Sequence, residues 1–299
     1  MKLLIDKIID YLDYLRNFLH LKVSFCNIGG YFKEYIHLLQ PYNRHLNAYC
    51  FHIKNNPKFF QTCIEKQHLV LQKCGGEAFY GSCWAGEEEY VFPIKGENTA
   101  IGFISVYGYR GQLAHSEEKM KNVCKKYGID SAVLEKNYFS GLTEQVPSLN
   151  ALSPVIYPLC AMFELLYLQM PKNIAQYSES SSLYAELVNY LCYNYNKNIS
   201  LDKIAAHMNY SKSYIRQLFY KQAGKTIFQY INLLRINNAK EMLSSTSMPI
   251  GEISEKLGFC NSNYFSNVFK KSTGLKPLEY RKQNTSLYER QILNSFNRP

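Results

Sequence analysis

One segment of this chain is present twice, and that repeat restricts its fold more than any other feature. IAAHMNYSKSYIRQLFYKQAGKTIFQYI begins at Ile204, and ISEKLGFCNSNYFSNVFKKSTGLKPLEYR begins at Ile253. Ile204, Met208 and Tyr210 match Ile253, Leu257 and Phe259 at an offset of 49. Tyr214, Phe219, Gly224 and Tyr230 match Tyr264, Phe269, Gly274 and Tyr280 at an offset of 50. One residue is therefore inserted in the second turn. Self-similarity at a fixed spacing means one supersecondary unit built twice.

Each copy reads as helix, short turn, helix. In the first, Leu201–Met208 is a short helix and Asn209-Tyr210 the turn. Ser211 is suited to cap the next helix, because its hydroxyl can accept from a free backbone amide. Tyr214, Ile215, Leu218 and Phe219 then form one apolar stripe, and Gly224 stops the helix. In the second copy Ile250–Leu257 is the short helix and Gly258 breaks it. Asn261 or Ser262 caps the next, Tyr264, Phe265, Val268 and Phe269 form the stripe, and Gly274 ends it. Pro249 and Pro277 stand where first-turn prolines are tolerated. The matched aromatics Tyr214, Phe219, Tyr264 and Phe269 are expected in the core. Between the copies, Thr226–Leu243 predicts a helix of about 18 residues, ~27 Å long at about 1.5 Å per residue.

This is helix-turn-helix geometry, in which the second helix enters a major groove, and successive grooves lie ~34 Å apart. The residues carrying the pattern resemble the AraC family of bacterial transcription regulators. The resemblance covers about Leu183–Lys282, including both copies, the connecting LLRINNAKEML and the closing GFCNSNYFSNVFKKSTGLKPLEYR. It implies an all-α domain with two helix-turn-helix units joined by a long helix, binding double-stranded promoter DNA at a bipartite site. Activation is the family tendency. Carried over by position, Ser213, Arg216 and Gln217 face base edges from the first recognition helix. Ser262, Asn263, Ser266 and Asn267 do so from the second. Ser211 and Asn261 stand at the helix starts of the same DNA-facing set. Arg216 suits guanine and Gln217 adenine. Lys212, Lys270 and Lys271 suit phosphates. Many family members have Arg where this chain has Asn267, which weakens guanine reading there.

Charge follows the same division. The formal net charge is +10. Residues 1–181 hold 18 Lys/Arg against 17 Asp/Glu, and residues 182–299 hold 16 against 7. The repeated half thus carries nearly all the excess, which favours a polyanionic partner. Gln176–Ser182 is short, polar and Ser-rich, and reads as a linker. The expected organisation is a domain over 1–175, a linker over 176–182, the repeated domain over 183–283 and a tail over 284–299.

The first half reads as α+β. Phe79–Trp84, Tyr90–Ile94 and Ala100–Tyr107 predict strands of a small antiparallel sheet, with Lys95–Asn98 turning between the last two. Helical patterns lie around Tyr31–Leu39, Pro57–Val70, Ser116–Tyr127 and Ala151–Met170. Leu4, Ile5, Ile8, Ile9, Leu12, Leu15 and Leu19 recur at helical spacing. Asp6, Asp10 and Asp13 interrupt any signal-peptide core there. Ala151–Met170 is the most apolar window, but Pro154, Pro158 and Glu164 make it a poor membrane span. A cytoplasmic protein with reduced thiols and no membrane partner is expected. Ala151–Met170 reads either as a dimer helix or as intradomain packing. Glu87-Glu88-Glu89 reads as a solvated turn.

Cys50, Cys63, Cys74 and Cys83 are bunched, with His52 and His68 nearby, at gaps of 12, 10 and 8 residues. Structural zinc sites favour pairs two to four apart, and iron–sulfur spacing is also absent. Buried thiols, or one reactive thiol among several, are therefore the leading reading, with a metal on Cys50, Cys63, Cys74 and Cys83 as the weaker one, and no cofactor is expected. Cys74–Gly111 resembles the PocR-type sensory domain, on Cys83-Trp84-Ala85-Gly86, Pro93-Ile94 and Ile101-Gly102-Phe103-Ile104. The similarity covers roughly residues 15–170. It implies a sensor related to PAS and GAF domains, for which small organic molecules such as diols are proposed ligands. Trp84 departs from the pattern, as does Gly108-Tyr109 in place of Gly-Gln, so ligand identity does not transfer. Cys83, Trp84, Tyr90, Phe92 and Phe103 would wall a pocket, although a filled sheet core has the same alternation.

No nucleophile triad, P-loop or HExxH motif is present, and the Pro-Cys-His segment of DNA-alkylation repair proteins is missing. The sequence therefore predicts a regulator rather than an enzyme. Its first half senses a small-molecule effector or partner and forms a homodimer, and its second half reads DNA, with RNA polymerase as a further expected partner. The alternative is a thiol- or metal-responsive sensor on the same DNA-binding half.

Overall fold

The computed structural model describes residues 2–27, 31–54, 57–74, 76–97, 99–170 and 179–284. The chain divides into two units, Met1–Ser178 and Glu179–Pro299. The helices of the first are α1 (Lys2–Asn17), α2 (Ile36–Leu39), α3 (Ala48–Lys54), α4 (Pro57–Cys74), α5 (Ser116–Tyr127), α6 (Ser131–Gly141) and α7 (Leu149–Leu168). Its strands are β1 (Val23–Asn27), β2 (Phe79–Ser82), β3 (Glu88–Lys95) and β4 (Ala100–Tyr109). They pair antiparallel in the order β1-β4-β3-β2.

Alternation along the strands decides which side chains meet. The β3–β4 register places Tyr90 opposite Val106 and Phe92 opposite Ile104, so these four share one face. That face is closed by α1 and α7. Ile5, Ile8, Leu12 and Leu15 from α1 join Leu152, Ile156, Leu159, Phe163 and Leu166 from α7 over Phe25, Phe92, Ile104 and Val106. Phe163 stacks on Phe25, with centroids 4.2 Å apart and planes 7° from parallel, and meets Phe32 edge-on. Helix α7 is long and apolar enough to cross a membrane by length and composition. Its buried stripe is part of this core.

The other face presents Ser24 and Cys26 from β1, Glu89 and Val91 from β3 and Phe103 from β4 toward α3 and α4. Behind those helices Tyr49, Cys50, Ile53, Phe59, Met120, Val123, Leu134 and Tyr138 form a second cluster. Strand β1 and helices α3 and α6 add to the predicted elements. Four of the five residues of β1 are buried, so it carries no alternation to detect.

The second unit holds α8 (Glu179–Asn194), α9 (Leu201–Met208), α10 (Lys212–Ala223), α11 (Ile227–Ser245), α12 (Ile250–Lys256), α13 (Ser262–Thr273) and α14 (277–284). Of the expected linker, residues 179–182 form the first turn of α8, which corrects its end. Residues 176–178, and the expected tail from 285 onward, lie outside the described residues.

The aromatic stack at Phe163 organises the α1/α7 face. Phe163→Ala is expected to cost about 3–5 kcal/mol, measured by chemical denaturation followed through Trp84, the only tryptophan of the chain. A loss below about 1 kcal/mol would contradict this packing.

Candidate nucleic-acid interface and sensory cavity

Two backbone devices aim the recognition helices. Asn209 ends α9 at φ 58°, a left-handed conformation that Asn tolerates, and turns the chain into Ser211. Gly258 does the same at φ 78° in the second copy. There a Cβ would overlap the Asn196 carbonyl, so the position requires glycine. The Ser211 hydroxyl then accepts from the Tyr214 amide at 3.2 Å, and Asn261 Oδ1 from the Tyr264 amide at 2.8 Å. Asn261 rather than Ser262 is thus the cap of α13. Cys260 is the inserted residue of the second turn, and it is exposed.

The caps fix which side of each helix faces outward. On α10, Ile215, Leu218 and Phe219 are buried, while Lys212, Ser213, Arg216 and Gln217 are exposed. On α13, Phe265 and Phe269 are buried, and Ser262, Asn263, Asn267, Lys270 and Lys271 are exposed, with Ser266 half-buried. The two helices therefore present their polar residues at matched positions. Tyr214 and Tyr264 depart from the expected core packing, being 39% and 43% exposed. Tyr214 stacks on Tyr210, and the Tyr264 hydroxyl accepts from Asn232 Nδ2 at 3.2 Å. Tyr220 was missed. It is exposed one turn after Arg216 and corresponds to Lys270 in the second copy.

Not every cation of this half faces outward in this way. Arg235 Nε donates to the Tyr195 carbonyl at 2.7 Å, and its guanidinium lies over the Phe259 ring. Arg281 donates to the carbonyls of Met248 and Leu243. Both are braces between helices. Lys212 Nζ is 2.6 Å from Asp202 Oδ1 on the exposed surface, and this lysine holds the Asp202 carboxyl below its ordinary range.

The first unit holds a cavity of about 680 Å³ that is partly open to solvent. Its lining includes Cys83, Trp84 and Phe103, as expected, with His45, Cys50, Lys54, Cys63, Glu87 and Glu89. Tyr90 and Phe92 do not line it. They lie on the opposite face of β3, packed toward α7, because adjacent strand positions point to opposite sides. Cys74 is also absent from the wall. It packs with Cys26, Val91 and Phe103, so the four expected cysteines do not form one set of ligands around the cavity. The Trp84 indole nitrogen is buried with no hydrogen-bond partner among the described residues.

The expected solvated turn at Glu87–Glu89 is the largest departure. These three residues are 0%, 0% and 6% exposed. Glu88 accepts from the Tyr80 hydroxyl at 2.8 Å and from the amides of Gln112 and Leu113 at 3.0 Å. Glu87 accepts from Cys50 Sγ and meets His45 Nδ1, each at 2.8 Å, and also accepts from Asn47. Glu89 accepts from the Ser105 hydroxyl. Burial pushes the Glu87 carboxyl up, but His45, the Cys50 hydrogen bond and Lys54 outweigh it and hold it below its ordinary range. Burial prevails at Glu89, whose pKa is raised. Burial followed by Glu87 also raises the thiols of Cys50 and Cys83. Partners supplied by α3, the segment before it and the loop after β4 make this acidic run an interior feature.

Residues 204–283 match the family described as helix-turn-helix domain. Over 122 residues, 40% of this chain and 42% of the other, the protein is 33% identical to the uncharacterized HTH-type transcriptional regulator YisR of Bacillus subtilis (strain 168). Over 129 residues it is 30% identical to the HTH-type transcriptional activator RhaR of Enterobacter sp. (strain 638), covering 40% of this chain and 46% of that one. The C-terminal domain of AraT, a response regulator from Geobacillus stearothermophilus, is 29% identical with a TM-score of 0.34, over 36% of this chain and 88% of that structure. The chain thus spans less than half the length of these curated relatives. Its repeated segment is an AraC-type helix-turn-helix domain.

The thiols differ sharply in access. Cys260 is expected to react first with a disulfide reagent at neutral pH, ahead of the buried Cys26, Cys50 and Cys160. Cys260→Ser removes the fastest phase. A fastest phase that survives this substitution would contradict the assignment.

Proposed function

We propose that the protein is a sequence-specific DNA-binding transcriptional regulator, acting as an activator, whose first unit senses a small molecule. The observation that carries the DNA reading is the pair of capped helices, α10 and α13, presenting matched polar faces from one helix-turn-helix domain. Arg216 and Gln217 read bases from α10, with Ser213 beside them. Asn263, Asn267, Ser262 and Ser266 read from α13. Lys212, Lys270 and Lys271 hold phosphates, and Ser211 and Asn261 fix the helix starts. Lys212 must exchange Asp202 for a phosphate when DNA binds.

The sensing reading rests on the cavity. Its volume falls within the range of about 300–1,000 Å³ typical of ligand pockets. Its buried carboxylates and the Trp84 N–H, which has no partner among the described residues, offer polar recognition, and the PocR-type resemblance points the same way. An effector acts by binding the DNA-competent state more tightly than the other. The expected homodimer places a second copy on the outward side of α7, where Tyr157, Leu165 and Leu168 are exposed.

Selection of binding sites from a random DNA pool supplies the target for the test. Arg216→Ala is expected to cost about 1–3 kcal/mol and to relax preference at one base position. Lys270→Ala is expected to weaken all sequences alike and lower the salt slope by about one. Unchanged selectivity in Arg216→Ala would remove that residue from the reading set.

A further inference from the structure

We propose that His45, Cys50 and Glu87 bind one divalent cation of the zinc class, at a site open to the cavity of the first unit. This site is independent of the DNA reading and shares only Cys50 with the four-cysteine set expected from the sequence. His45 Nδ1 and Cys50 Sγ each lie 2.8 Å from Glu87 Oε2. One donor atom from each of the three residues lies within 4.8 Å of the others. Tetrahedral bonds of about 2.0–2.3 Å separate donor atoms by about 3.5 Å. Shifts on the order of 1 Å therefore bring all three to a common ion. Imidazole, thiolate and carboxylate together suit zinc and its neighbours, whereas magnesium and calcium take oxygen donors.

The surroundings are those of a built site. His45 Nε2 lies 3.5 Å from Glu89 Oε2, and the ring stacks on Tyr107 with centroids 3.9 Å apart. A metal-bound histidine characteristically turns its second N–H to a carboxylate, which fixes both its tautomer and its orientation. Asn47 is fully buried and ties the other two ligands together. Its Nδ2 donates to Glu87 Oε1, and its Oδ1 accepts from the Cys50 amide at 2.8 Å. Glu87 Oε2 is thereby left for the ion.

Binding exchanges protons for the cation without oxidation or reduction. Cys50 loses its S–H proton to solvent, and the sulfur lone pair forms the metal bond. His45 binds through Nδ1 and carries its ring proton on Nε2. One thiolate and one carboxylate balance the charge of a divalent ion. All three ligands border the cavity, so the fourth tetrahedral position faces it. There a water molecule or an oxygen or nitrogen of a cavity ligand completes the shell, as at zinc sites that keep an open position.

The test uses full-length protein stripped with chelator and titrated with cobalt(II), then with zinc. One equivalent of cobalt is expected, with a thiolate-to-cobalt charge-transfer band in the near ultraviolet that zinc abolishes. X-ray absorption of the zinc-loaded wild type should show sulfur at about 2.3 Å beside nitrogen and oxygen at about 2.0 Å. Cys50→Ser is expected to lose the cobalt band, Glu87→Gln to weaken binding at least tenfold, and Cys74→Ser and Cys83→Ser to retain the band. Absence of the band in wild type, a shell without sulfur, or a band that survives Cys50→Ser would overturn the site. The X-ray measurement needs no variant, so a misfolded substitution cannot mask the answer. DNA binding measured on the same sample separates failure of this site from failure of the regulatory reading.

Discussion

The helix-turn-helix half depends on a short turn that ends one helix and leaves a capped helix after it. Asn209 and Gly258 supply that turn at positive φ, and Ser211 and Asn261 satisfy the amides that follow. Once the turn is set, helical spacing determines the rest. Ile215, Phe219, Phe265 and Phe269 must point inward, and Arg216, Gln217, Asn263 and Asn267 must point out. The single inserted residue, Cys260, lengthens the second turn at the surface, and the following helix still begins at a capping side chain, Asn261. Interior contacts then stiffen the support. Phe219 meets Tyr230 of α11, Phe269 meets Tyr280 of α14, and Arg235 ties α11 to the segment after α8. The cations of this half are therefore of two kinds: Lys212, Arg216, Lys270 and Lys271 are exposed on α10 and α13, while Arg235 and Arg281 hold the domain together.

In the first unit the two faces of one sheet have different chemistry. One is closed by aromatic and aliphatic packing against α1 and α7. The other places buried carboxylates beside thiols, an imidazole and a lysine around a cavity. Burying Glu87 without partners would be costly. Cys50, Asn47 and His45 supply those partners, and two of them, Cys50 and His45, are the residues proposed to join Glu87 on a cation. The raised thiols of Cys50 and Cys83 disfavour reaction with oxidants at neutral pH.

The repeat, its caps and its connecting helix were legible because each is a local signal. Thr226 even forms the reciprocal capping pair with Gln229. Three strands and the α1, α4, α5 and α7 helices were legible from periodicity. What escaped detection depends on distant residues. Glu87–Glu89 is polar in sequence, and only its partners from residues 45–50, 80, 105 and 112–113 place it inside. His45 gave no signal because a single histidine five residues before Cys50 is no ligand pattern, and the carboxylate that joins them, Glu87, lies about forty residues away. Tyr90 and Phe92 were assigned to the wrong side, although alternation with Val91 separates them from the cavity face. Tyr214 and Tyr264 looked apolar by type, but each lies at the edge of its stripe, where a phenol can pack its ring and remain partly exposed.

The central claim is that two helices of one domain read one duplex together. Hydroxyl-radical footprinting on DNA selected by the full-length protein tests this most directly. The account predicts two protected segments centred about 10 base pairs apart, ~34 Å along the duplex. A single protected segment, or no sequence enriched over the starting pool, would contradict it.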